Sequence, residues 1–240
     1  MGTLAPELPA SSGENFASDL AGMGSFFLDP PGAARRVHSK WFWIGPLIVF
    51  SIIALVASFI IMPIAQHVME IAPLPPNTTP EQYQRGMSIG LTIMKVSMYL
   101  APVWAAILFA IQAAILLGSS AVMTVKTGFR QLFNLVTGCS LIQALSSIAG
   151  VVILKAKGDI STQAELHPAL GLDIFLPAGS NKFLAAFLGY FSVFEIWWIV
   201  MMVLIFAAAF KVSKGKAFAV VLPLVIVSLL FRFVGAAFQR

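Results

Sequence analysis

Charge is scarce in this sequence. Asp, Glu, Lys and Arg make up 10% of its 240 residues, and hydrophobic residues make up 59%. A soluble domain carries about 25% charged residues, so this chain cannot cover itself with a polar surface. A mean hydropathy of +0.90 agrees. The solvent that matches such a chain is lipid, and its class is multi-pass membrane protein. Cysteine is scarcer still. The lone Cys139 excludes an internal disulfide and any multi-cysteine metal site. Its place in the apolar stretch from Leu135 to Leu145 marks it as a small buried hydrophobe. Bases outnumber acids, 15 to 10. They stand singly between apolar runs rather than on one face, which is a topology pattern and excludes nucleic acid as a partner.

Lys and Arg are absent from residues 1–30, which carry Glu7, Glu14, Asp19 and Asp29. A secretory signal needs a basic start and an apolar centre, and neither is here. The Gly, Ser and Ala content predicts an acidic, disordered cytoplasmic tail over residues 1–25, with residues 26–240 forming the membrane domain. Asp29 before Pro30 is a helix-start signal. A short interfacial helix there brings Arg35, Arg36 and Lys40 to the membrane surface as a basic cluster. Trp41 and Trp43 follow at once, as in an interfacial aromatic belt.

Five apolar stretches come next, at about 41–66, 96–123, 132–154, 184–210 and 217–238. Each is long enough to cross a bilayer, which takes about 20 residues. Pro46, Pro63, Pro102 and Pro223 fall in or near them, and lipid-embedded helices tolerate proline. The predicted fold is all-α: a bundle of five transmembrane helices with a short N-terminal interfacial helix. The connections around 124–131 and 211–216 are short and purely basic, while the other two are longer and hold acids. Short basic loops face the cytoplasm, so the N-terminus is expected inside and the C-terminus outside. The proline-rich stretch from Pro73 to Arg85 is expected to be stiff and extended. Within it, Asn77-Thr78-Thr79 matches a glycosylation acceptor, a pattern common by chance. The loop over 155–183 carries Leu170, Leu172, Ile174, Phe175 and Leu176, as a segment lying on or dipping into the membrane would.

One acid, Glu195, stands at the head of the uncharged run that ends at Phe210. A carboxylate in hydrocarbon is costly. Arg232 lies as far from Lys216 as Glu195 does from Lys211, about 24 Å along a helix. On antiparallel neighbours the two reach one depth and are predicted to form an intramembrane ion pair. Such a pair fixes helix register, or belongs to a polar path for protons or ions, or reaches interfacial water. Gln112, Asn134 and Gln143 are further polar residues in the spans, of the kind that bridge helices.

Catalysis needs convergent groups, and the sequence offers few. His38, His67 and His167 lie near ends or in loops. His67 and Glu70 share a helical face, but two ligands make a poor metal site. Gly138-Cys139-Ser140 lacks a glycine-flanked serine arrangement. Walker, dinucleotide and HExxH motifs are missing. Gly86-x-x-x-Gly90 fits a helix-packing motif. No catalytic, cofactor-binding or metal-ligating residue is expected, and the chain is expected not to be an enzyme.

Two stretches carry a resemblance. FFLDPPGAARRV, Phe26 to Val37, is similar to the lead that precedes the first helix of the Yip family, the Ypt/Rab-interacting membrane proteins. VFEIWWIVMMVLIFAAAFKVSKGKA, Val193 to Ala217, is similar to that family's acidic-aromatic helix ending in a lysine-rich turn. The chain resembles bacterial members most. The eukaryotic branch is linked to vesicle traffic and small GTPases. Its Asp-Leu-Tyr-Gly-Pro and Gly-Thr-Pro signatures are not found, so GTPase binding is not carried over. The resemblance implies a non-catalytic scaffold or accessory subunit of an export- or trafficking-related assembly. Its expected partners are the lipid bilayer and another membrane protein, and its expected place is the bacterial cytoplasmic membrane. A small proton- or ion-coupled channel or carrier is the alternative.

Overall fold

The computed structural model describes residues 16–72, 78–162, 164–166, 168–177 and 180–238. Three short helices, α1 (Phe16–Gly22), α2 (Ser25–Leu28) and α3 (Pro30–Val37), lead into α4 (Ile44–Ile71). Then come α5 (Pro80–Val122), α6 (Phe129–Lys157), α7 (Lys182–Tyr190), α8 (Val193–Phe210) and α9 (Lys214–Phe238). Two 3-10 turns, Ala164–Leu166 and Leu172–Phe175, lie between α6 and α7. Five helices, α4, α5, α6, α8 and α9, are long and apolar enough to cross a membrane. The expected five-span helical bundle is what folds.

Its centre is α6. Leu132, Leu135, Val136, Cys139 and Ile142 are completely buried on it, in one core with Phe109 and Leu116 of α5 and Trp198, Met202 and Phe206 of α8, which Val220 and Leu224 of α9 join from the side of α5 and α8. The lipid-facing sides of α4 and α5 expose Ile52, Phe59, Ile93 and Trp104. Such a surface requires hydrocarbon around it.

Several boundaries differ from the sequence expectation. Residues 1–15 lie outside the described residues, but the expected tail is helical from Phe16. Leu20 and Met23 pack against Gly45 at the start of α4, which draws that segment onto the bundle. The second span begins at Pro80, far earlier than Val96. Thr79 and Gln82 form a capping box, with the Gln82 N–H donating to Thr79 Oγ1 at 3.2 Å and the Thr79 N–H donating to Gln82 Oε1 at 3.1 Å. Pro at the first helical position suits this start. The stretch expected to be extended is therefore helical from Pro80 onward, and Asn77 lies outside the described residues. The fourth span is broken: α7 ends at Tyr190, and Ser192 caps α8 by accepting from the Glu195 N–H at 3.0 Å.

Two levels frame the bundle. The proximal level is set by Asn134 of α6, whose Oδ1 accepts from the Trp43 N–H just before α4. Counting from there at about 1.5 Å per residue, Lys155 lies about 30 Å away, the thickness of a hydrocarbon core. Phe50 of α4 meets Phe109 of α5, ring centroids 5.1 Å apart. That alignment puts Lys95 at about the same 30 Å height. Beyond Lys95, α5 continues for about 22 Å past this distal boundary.

The loop after α6 is held by Glu165. It accepts from Lys157 Nζ at 2.8 Å and from the backbone N–H groups of Ser161 and Thr162 at 2.9 and 3.1 Å. These donors hold its carboxyl at about 2, below the ordinary value near 4.5. A depressed carboxylate pKa stabilises the fold while ionised, fully above the unfolded value, and that contribution is lost as pH falls through the folded value. The clip is therefore expected to hold at neutral pH and to release between about pH 4.5 and pH 2. Pepsin cleavage near Ile160 should be slower in the wild-type chain than in Glu165→Gln at about pH 4.5, and the two rates should converge as pH falls toward 2.

Candidate functional site: the N-terminal segment and the broken helix

The residues Phe26–Val37 owe their arrangement to local chemistry. Asp29 caps α3, its Oδ1 accepting from the Gly32 N–H at 3.1 Å. Pro30 and Pro31 then occupy first-turn positions that need no helical donor. Gly32 sits so close to the Asp29 carboxylate that a Cβ there would collide with it. Ala33, Ala34 and Val37 turn inward and are buried. Spacing of this kind gives a short helix one apolar face.

Two further contacts fix the segment to the bundle. Phe26, fully buried, stacks on Phe42 at 5.0 Å and lies on Gly138 of α6, where a Cβ would run into its ring. Asn134, one turn earlier on α6, is also fully buried. Its Nδ2 donates to Val37 O at 3.0 Å and to Ser39 O at 2.7 Å, while its Oδ1 accepts from Trp43 N at 3.1 Å. One carboxamide thus satisfies three backbone groups of the turn between α3 and α4. Further along, Trp197 Nε1 of α8 donates to Phe27 O at 2.9 Å. His38 bridges Ala209 O of α8 at 3.1 Å and Gln131 Nε2 of α6 at 2.9 Å.

Asn134, expected to bridge helices, instead ties a helix to the N-terminal backbone. Sequence reasoning misses the bond between Gln131 and His38, because 93 residues separate them and no local pattern announces the contact. The three cations of the expected basic cluster follow different paths. Arg35 is exposed. Arg36 folds back over Gly22 of α1. Lys40 lies over the Trp41 ring, 5.3 Å from its centroid.

The second candidate site is the break between α7 and α8. Gly189, three residues before Ser192, has a carbonyl left without a continuing helix to donate to it. Arg232 Nη1 of α9 donates to that carbonyl at 2.9 Å, and its guanidinium lies 5.3 Å from the Tyr190 ring centroid. Among the described residues no ion-pair contact within 4 Å joins Glu195 to Arg232. Tyr190 stands beside both, close enough to interact with the Glu195 carboxylate and the Arg232 charge. Glu195 itself occupies the first turn of α8. A carboxylate there faces the positive end of the helix dipole. Gly86 and Gly90 match a packing motif, but a Cβ added at either would meet nothing within 4 Å, so neither packs against another helix.

A family model described as the Yip1 domain matches residues 23–235. The chain belongs to the Yip family. Its match begins at Met23, within the docked N-terminal segment, and reaches into all five spans of this Yip protein. Comparison with curated proteins and comparison with solved structures each give no match.

Two contacts generate predictions. Gly138→Ala should clash with Phe26 and lower stability in detergent by about 1–3 kcal/mol. In a Phe26→Ala background the same change should cost nothing further, so a thermal-melt double-mutant cycle should show strong coupling. At the break, Tyr190→Leu with Arg232→Gln should couple by about 0.5–2 kcal/mol through the cation–π contact. Additive effects would place the two side chains apart.

Proposed function

We propose that this Yip-family membrane protein is a non-catalytic scaffold or accessory subunit. It presents its N-terminal segment to another membrane protein. The observation that carries this reading is the build of that segment. Phe26, Asn134, Trp197 and His38 fix it to two helices, α6 and α8, yet Leu28 and Trp41 point away with 85% and 55% of their surface exposed. Rigid support behind exposed apolar anchors suits recognition, because little ordering entropy is lost on binding. Asp29 and His38 are occupied in holding the segment, which fits a structural role. The proximal face is taken as cytoplasmic, with Arg35, Arg36 and Lys40 near anionic headgroups, where each basic residue adds about 1 kcal/mol.

The test is mild-detergent affinity purification with mass spectrometry, on the wild-type chain and on Leu28→Glu. A stoichiometric membrane partner that Leu28→Glu loses, at unchanged melting temperature, supports the reading. A lone wild-type chain overturns it. Orientation is checked by an impermeant thiol reagent. Thr162→Cys should label from outside intact cells and Lys126→Cys only after lysis, with buried Cys139 silent in both.

A second reading, a small proton- or ion-coupled carrier, is favoured by one observation, the interrupted α7–α8 helix with Tyr190, Glu195 and Arg232 at the gap. Broken helices at membrane depth are where carriers hold their ions. Under this reading Glu195→Gln abolishes a proton-dependent flux in liposomes while leaving the melt unchanged. A wild-type chain without flux removes it.

A further inference from the structure

α4 and α6 meet distally, where Val68 and Leu154 are buried in one cluster, but on the proximal side of that contact they part. Between them lies a slot of about 400 Å³, floored by the small residues Ala54 and Ala57 of α4 and Gly150 of α6. From the Asn134 level, Gly150 stands at a height of about 24 Å, and Ala57, counted from Ile44, at about 20 Å. The slot therefore lies inside the distal half of the hydrocarbon, where water is not available to fill it.

Its lining is mostly apolar, with three serine hydroxyls. Ser58 and Ser147 donate to their own helices, Ser58 Oγ to Ala54 O at 2.8 Å and Ser147 Oγ to Gln143 O at 3.2 Å, and Ser146 is the third. Among the described residues no ionisable side chain lines it. The distal end is roofed by the loop after α6. Pro168 and Leu170 come within 3.8 and 4.0 Å of where a Cβ on Gly150 would be. A guest lying along the slot must turn outward beneath this roof.

A cation stands at that turning point. Lys155 is one helical turn beyond Val151, a wall residue, and shares its side of α6 by spacing. It is exposed and lies at the distal boundary, whereas its neighbour Lys157 is engaged by Glu165. Hydrocarbon below and a free ammonium at headgroup height describe one class of guest.

We infer that the α4–α6 slot holds one acyl chain of a distal-leaflet anionic phospholipid, whose phosphate meets Lys155. This inference needs only the membrane-spanning bundle and stands or falls apart from the scaffold reading. The site makes lipid a bound component of the fold rather than only its solvent.

The test uses the full chain reconstituted in vesicles of equal phosphatidylglycerol and phosphatidylcholine, re-extracted in mild detergent and washed. Retained phospholipid is then counted by mass spectrometry. Wild-type protein should keep about one phospholipid per chain, with a several-fold preference for phosphatidylglycerol. Gly150→Leu and Ala57→Phe should fill the slot and lose the retained lipid. Gly150→Ala should keep it, because its Cβ makes only ordinary contact. Lys155→Gln should keep the lipid but lose the headgroup preference. Thermal melts and gel filtration identify which variants are folded. Unchanged retention in a folded Gly150→Leu or Ala57→Phe chain overturns the slot, and an unchanged headgroup ratio in Lys155→Gln overturns the role of Lys155. Efficient disulfide cross-linking of Ala57→Cys between two chains would put a second copy where the lipid is assigned, and would also overturn it.

Discussion

The Asn134 carboxamide is the constraint on which the proximal half of the structure depends. The chain must turn between α3 and α4 at the edge of a bilayer, and that turn leaves backbone donors and acceptors with no helix to absorb them. In a lipid-facing protein each such group costs several kcal/mol if left bare. Asn134 meets three of them at once, on Val37, Ser39 and Trp43. Asn is also the side chain suited to this, since its amide offers both donors and an acceptor from one rigid plane. Once the turn is fixed, Phe26 can settle on Gly138 one helical turn away, and α3 packs against α6 and α8.

The distal half obeys a different logic. There the bundle is interrupted rather than clamped. α7 and α8 meet at a gap, the loop after α6 folds back to the height of Gly150, and α4 and α6 part to leave a slot. Arg232 supplies the missing donor at the gap, bonding the Gly189 carbonyl that a continuous helix would have satisfied internally. Both ends thus follow the same rule of backbone satisfaction in lipid. One end meets it with an amide from the helix core and the other with a guanidinium near the membrane boundary.

Much of this was legible in the residues. The five spans and the Asp29-Pro30 helix start follow from hydropathy and capping chemistry, whereas the ion pair expected between Glu195 and Arg232 gives way to a bond from Arg232 to the Gly189 carbonyl. The break at Phe191–Ser192 did not show, because Leu184 to Phe210 is apolar throughout and hydropathy cannot see a missing hydrogen bond. Ser192 was the local signal, since serine three residues before an acid is an N-cap pattern. The early start of α5 had its own sign in Thr79-Pro80 with Gln82 behind it, masked by the neighbouring prolines that suggest extended chain. The Asn134 clamp was beyond reach, as was the His38–Gln131 link. Each joins positions more than ninety residues apart, and pattern reading along a chain is blind to such pairs.

That separation in sequence sets a schedule. The N-terminal segment reaches a ribosome exit first, but its anchors come late: Asn134, then Trp197 and Ala209, the last two some 170 residues downstream of their partners. At about 5–20 residues per second, synthesis takes roughly 10–30 s to deliver them. Through that interval the Phe26–Val37 helix has been made but has nowhere to dock. Its apolar face is open to the bilayer surface and to whatever guides nascent chains, and closure onto α8 can come only when the penultimate span is in place. The same contacts that lock the finished molecule therefore report that four of its five spans have been made.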